Sequence, residues 1–171
     1  MPPRTRTPSR AAAPDHGLVV FAKNKRRVSA FYQATLSLTL ASSEPSHDRL
    51  QGPGFELVIH AIPRKYAVDI TITRPPVPRE DTPFKPVFVV QDLETVRTAA
   101  RRSGGHLAPS DRAWRLSGWI VLDGWDPEGN IVQFKQRADD TVKRLPGATP
   151  AATTRKGTRR RSPEGAGNSD H

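Results

Sequence analysis

The sequence predicts an α+β fold of two tandem βαβββ modules with disordered tails at both ends. Three observations carry this. One order of elements (strand, helix, three short strands) is read twice along residues 17–137. A segment with four prolines, TRPPVPREDTPF, separates the two readings. Residues 1–15 and the stretch from about 138 onward lack the large apolar side chains that would offset the entropy of ordering. The expected boundaries are therefore a tail at 1–15, a domain at 16–137 made of modules 17–74 and 84–137, and a basic tail at 138–171.

Each element has its own signal. GLVVFAK is rich in β-branched residues and opens the first module as a strand. Asn24 is placed to cap a helix over KRRVSAFYQATL, where Val28, Phe31 and Tyr32 fall at i, i+3 and i+4 and so share one face. SLTLASS, DRLQG and FELVIHAI then read as three strands divided by Ser, Pro and Gly. YAVDITIT alternates well enough to be an added strand, either closing the module or pairing with a partner chain. The second module opens with KPVFVVQ. Asp92 caps LETVRTAARRSGG, with Leu93, Val96 and Ala100 on one face and Gly104 as the stop. HLAPS, RAWRLSGWIVLDG and IVQFKQ follow as strands, the last after the turn DPEGN.

Composition narrows the function classes. With 171 residues the chain has room for one domain or two small modules sharing a core. The absence of Cys excludes disulfide scaffolds, thiol catalysis and cysteine-ligated metals. No apolar run approaches the roughly 20 residues of a membrane helix, and no secretory h-region precedes KNKRR, so the expected compartment is the cytoplasm. The net charge is +10, and half of it lies in the two tails. TRKGTRRRS in the C-terminal tail is the one segment through which nucleic acid would be engaged, by neutralising phosphates. Walker, GxSxG and GxGxxG motifs are missing, which leaves nucleotide hydrolysis, serine-hydrolase chemistry and Rossmann cofactor binding unsupported.

The duplicated unit, with AFYQATLSL after its first strand, VQDLETVRTAARRSGG in its second helix and DGWDPEGNIVQF near its end, resembles the vicinal oxygen chelate superfamily over residues 17–137. That superfamily includes glyoxalase I, bleomycin-resistance proteins, fosfomycin-resistance enzymes and extradiol dioxygenases. The resemblance implies an open cupped sheet with helices on its convex side and a ligand cavity on its concave side. Alternation then assigns the faces. Phe55, Leu57, Ile59, Val132 and Phe134 lie under the helices, while Glu56, Val58, His60, Ile131, Gln133 and Lys135 face the cavity.

Metal-dependent members take ligands from the first and last strands of each unit. Carried over by register, these positions are Gly17, Val58, Lys85 and Gln133, of which only Gln133 has a donor oxygen. His16 stands one residue from the first of them. The resemblance therefore implies a bleomycin-resistance-like member with no divalent metal, holding a small organic ligand, and a homodimer with YAVDITIT near the contact.

Glu56 and His60, four residues apart and on the same face of one strand, form a candidate acid–base or hydrogen-bonding pair. They would serve an alternative reading, a glyoxalase-like lyase or isomerase acting on an α-hydroxycarbonyl. Lys85 either pairs with Glu56 across the cup, attracts an anionic ligand, or is a solvated strand-end lysine. Trp114, Trp119 and Trp125 supply aromatic surface, with Trp114 and Trp119 as the expected ligand contacts. The histidines at 16, 47, 60, 106 and 171 show no HxH or HExxH spacing, so none forms a ligand pair by sequence alone.

Overall fold

The computed structural model describes residues 14–139. The expectations of disorder and nucleic-acid contact in the tails lie almost wholly outside the described residues.

The first module is β1 (His16–Ala22), α1 (Lys25–Leu36), β2 (Thr39–Ser43), β3 (His47–Gly52) and β4 (Phe55–Ala61), followed by a single helical turn, α2 (Arg64–Ala67). The second comprises β5 (Val87–Val89), α3 (Leu93–Ser103), β6 (His106–Leu107), β7 (Trp114–Leu116), β8 (Trp119–Trp125) and β9 (Ile131–Arg137). The sheets run β1-β4-β3-β2 and β5-β9-β8-β6, with β7 pairing beside β8. In each module the first and last strands are parallel neighbours, which the intervening helix makes possible by carrying the chain back over the sheet. β1 and β5 are thus sheet edges, and both border one cavity of about 420 Å³ at the seam between the modules.

The helices start where their caps stand. The Asn24 carboxamide oxygen accepts from the Arg27 N–H at 3.1 Å, and the Asp92 carboxylate accepts from the Glu94 N–H at 3.0 Å. Gly104 ends α3 in the left-handed region at φ 85°. Val28, Phe31 and Tyr32 of α1 and Leu93, Val96 and Ala100 of α3 are buried as the periodicity requires. They close on Leu50, Leu57, Ile59, Leu122, Val132 and Phe134 from the sheets in one core. Each Val, Leu, Ile or Phe side chain among them contributes about 1.5–3 kcal/mol by leaving water.

Two expectations need correction. YAVDITIT is not a strand: Tyr66 and Ala67 belong to α2, and residues 68–73 pair with no sheet. Pro63 supplies a helix start at its head and Pro75 and Pro76 stop extension at its foot, so alternation alone does not make a ladder. RAWRLSGWIVLDG is a hairpin rather than one strand. Ser117 and Gly118 turn it with φ 47° and 82°, both positive as in a two-residue turn matching strand twist. The second module therefore places β6 and β7 together where the first has β2 alone.

Among the described residues no helix is long and apolar enough to cross a membrane.

Candidate functional site

The concave face is built from the alternate positions of β1, β4 and β3 in one module and β5, β9 and β8 in the other. Register sets Val19 beside Val58 and Arg49, Glu56 between Gly17 and Gln51, and His60 between Phe21 and His47. In the second module Val87, Gln133 and Asp123 form one row, and Val89, Lys135 and Val121 the next. Val19, Phe21, Val87 and Val89 remain exposed, so this face offers apolar surface to whatever meets it.

Each module carries one ion pair on this face. The Glu56 carboxylate accepts from the Arg49 guanidinium at 2.5 and 3.1 Å and from the Gln51 amide at 3.0 Å. The Arg49 hydrogen bonds, followed by that of Gln51, hold the Glu56 carboxyl below the usual carboxylate range. Lys85 Nζ lies 2.9 Å from Asp123 Oδ2, and the other Asp123 oxygen accepts from Gln133 Nε2 at 3.0 Å. Lys85 thus pairs within its own module, not with Glu56. Glu56 and His60 share a face without bonding: the His60 Nδ1–H donates to the Ala61 carbonyl at 3.0 Å.

The connecting segment runs along this side of the molecule. Pro78, Glu80, Thr82, Phe84 and Lys85 form one wall of a cavity of about 300 Å³ whose other wall is Asp123, Gly124, Trp125 and Ile131. Phe84 also borders the seam cavity and a third of about 240 Å³ beside β1. The tether between modules is therefore part of the site.

The tryptophans divide differently from expectation. Trp125 lines the 300 Å³ cavity, its indole stacked on His106 at 4.2 Å between centroids. Burial, then the charges of Arg97 and Arg101, push the His106 imidazole below its ordinary value. Trp119 faces Lys135 and Arg137, whose cations sit 4.7 and 4.2 Å from its ring centre. Trp114 lies on β7 and borders a separate cavity of about 450 Å³ shared with Leu93, Ile120 and Leu122 near the start of α3. The sequence gives no signal for Phe84 or Asp123 as lining residues, and it marks Trp125 only as one of three aromatic candidates. Prolines mark the tether as a spacer without showing what it covers, and side-chain alternation cannot rank three indoles on neighbouring strands.

At the positions that the resemblance would assign to metal ligands, the Gly17 and Val58 side chains bring no donor atom and Lys85 brings a cation already seated against Asp123. His16, beside Gly17, begins β1 opposite Phe55 and is exposed. No group of three or more His, Cys, Asp or Glu is gathered among the described residues.

The DPEGN turn supports the site from behind. Asp126 is fully buried; its carboxylate accepts from the Glu128 and Asn130 N–H groups at 2.8 and 3.0 Å, from Asn130 Nδ2 at 2.7 Å and from the Tyr32 hydroxyl at 3.4 Å. Burial nonetheless pushes the Asp126 carboxyl above its ordinary value, and burial, reinforced by Asp126, raises the Tyr32 phenol. Glu128 reaches across to the first module, where its two oxygens accept from the backbone N–H groups of Lys23 and Asn24 at 2.9 and 2.5 Å.

Solved structures share this architecture. A glyoxalase/bleomycin resistance protein/dioxygenase family enzyme from Burkholderia phytofirmans PsJN superposes with a TM-score of 0.53 at 17% identity, covering 73% of this chain and 99% of its own. A glyoxalase/bleomycin resistance protein from Albidiferax ferrireducens T118 gives 0.51 at 16% identity, covering 71% and 96%. A glyoxalase-related enzyme from Fulvimarina pelagi gives 0.50 at 17%, covering 71% and 86%. No protein-family model and no curated protein matches the chain. Two open sheets backed by helices, in this strand order, define the vicinal oxygen chelate fold. This chain has that fold, the one shared by glyoxalase and bleomycin-resistance proteins.

Proposed function

We propose that this protein binds a small organic ligand on its concave face without a metal at the positions the fold family uses. The observation that carries the reading is the Lys85–Asp123–Gln133 arrangement: an ammonium occupies the charge that a divalent ion would need, and the single oxygen-bearing residue at those positions is bonded to Asp123. The ligand contacts in this reading are Trp125, Phe84 and Ile131 for apolar surface and Lys85 and Asp123 for orientation. Glu56, Val58, His60 and Gln133 line the adjoining floor.

Fluorescence titration of tag-free protein in excess EDTA, against a panel of small planar aromatic compounds, tests it. Saturable quenching is expected, lost in Trp125→Leu and kept in Trp114→Leu. Binding that appears only after adding Mn(II) overturns the reading. An enzymatic use of Glu56 has less support, because a carboxylate held down by Arg49 is a weak base. Turnover of a hemithioacetal that vanishes in Glu56→Gln would establish it instead. A homodimer is part of the proposal, with Tyr66 and Val68, both exposed, near the contact. Light scattering that gives the monomer mass removes that part alone.

A further inference from the structure

A second feature of the first module shares the concave face but lines none of the cavities described above. His47 on β3 and His60 on β4 are directly opposite in register, although thirteen positions separate them in the chain. The Ala61 N–H donates to the Ser46 carbonyl at 2.7 Å, so the neighbouring 46/61 pair is the hydrogen-bonded one. His47 and His60 therefore form a non-hydrogen-bonded pair, the kind in which opposed side chains stand closest. Their rings are within 13° of parallel with centroids 6.4 Å apart, and both residues are half-buried.

The outer contacts of the two rings match those of metal-binding imidazoles. The His60 Nδ1–H donates to a backbone carbonyl, which fixes the tautomer and leaves the lone pair on Nε2. His47 Nδ1 meets the Ser46 hydroxyl at 2.9 Å. Such partners orient ligating histidines and raise their basicity. Phe21, 5.3 Å from the His60 ring, walls the opposite side. The nearest cation on this face in the β3 sequence, Arg49, is committed to Glu56. Metal–nitrogen bonds of about 2.0–2.1 Å require ring centres about 5 Å apart and Nε2 lone pairs aimed at one point, so chelation requires both rings to turn out of their present near-parallel stack into other staggered rotamers.

We propose that His47 and His60 chelate one divalent transition-metal ion through Nε2 of each ring, Cu(II) most tightly and Ni(II) and Zn(II) less so. Imidazole pairs suit these ions, and copper stands highest in the order of affinity. No third His, Asp or Glu joins the pair among the described residues, so the other coordination positions belong to water or an added ligand. The site is separate from the Gly17, Val58, Lys85 and Gln133 positions. It stands or falls independently of the organic ligand, whose binding is measured in EDTA.

The test is titration of the tag-free, EDTA-stripped full chain with Cu(II), read by calorimetry and by electron paramagnetic resonance. One equivalent should bind with hyperfine splitting from two imidazole nitrogens. His47→Gln and His60→Gln should each weaken binding at least about tenfold, while a triple variant at His16, His106 and His171 retains it. Unchanged binding in both single variants, or a spectrum showing fewer than two imidazoles, overturns the proposal. Should either variant fail to fold, acylation of wild-type histidines with diethyl pyrocarbonate decides. Cu(II) should protect His47 and His60 but not His106, and equal labelling with and without the ion refutes the site.

Discussion

The two modules reach their last strands through corresponding turns that do very different work. Residues 51–55, QGPGF, lie partly exposed, and the Gly54 carbonyl simply accepts the N–H groups of Asp15 and His16. Residues 126–130, DPEGN, are nearly all buried, and their two carboxylates tie Tyr32, Lys23 and Asn24 of the other module. Both turns carry a positive-φ glycine, Gly54 at 66° and Gly129 at 85°. The comparison teaches that repetition of a fold does not repeat its energetics: one turn connects, the other fastens.

The largest expected break comes from Asp126→Ala, which strands buried donors from two backbone amides, an amide side chain and a phenol. It should cost about 4 kcal/mol in a urea melt. Next is the contrast between the glycines. Gly129→Ala adds a methyl that collides with the Val77 carbonyl in a left-handed conformation, for about 2–3 kcal/mol. Gly54→Ala meets no atom closer than Asp15 Oδ2 at 3.7 Å, so it should cost about 1 kcal/mol. Equal costs would end the distinction between the turns. Glu128→Gln keeps the shape but removes charge from the start of α1, and about 1 kcal/mol is expected.

The smallest effect is a pH-dependent one. Burial pushes the Asp48 carboxyl up, but hydrogen bonds from Lys25, Ser43 and Ser29 more than offset this and bring it below its ordinary value. A carboxyl lowered in the folded state contributes stability above its unfolded pKa and loses it as pH falls through the folded one. Asp48→Asn should therefore lower stability at neutral pH and leave it unchanged in strong acid, with thermal melts across that range as the check.

What the chain announces locally is what these elements need locally. Asn24 and Asp92 cap because a short acceptor before a periodic run can reach the free N–H groups whatever the tertiary surroundings. Leu57, Ile59, Val132 and Phe134 are placed by alternation for the same reason. Asp, Pro and Gly mark DPEGN as a turn, yet nothing in its letters shows that Glu128 reaches Lys23 and Asn24, since that contact exists only after the modules pack. The same holds for His47 and His60, and for Trp125, which meets the tether only through the curvature of its sheet. Residues 66–73 fail the other way: they alternate, but a strand needs a neighbour and none is placed there.

The grip of Glu128 on the chain at Lys23 and Asn24 has a consequence for how the molecule is made. Two backbone N–H donors at the start of the first helix find their acceptors on the carboxylate of a residue synthesised about a hundred positions later. The leading half therefore leaves the ribosome with an unfinished helix entrance, and it is completed only when the trailing half folds back. Cutting the tether at Pro78 should accordingly yield two fragments that recover native helicity only when mixed.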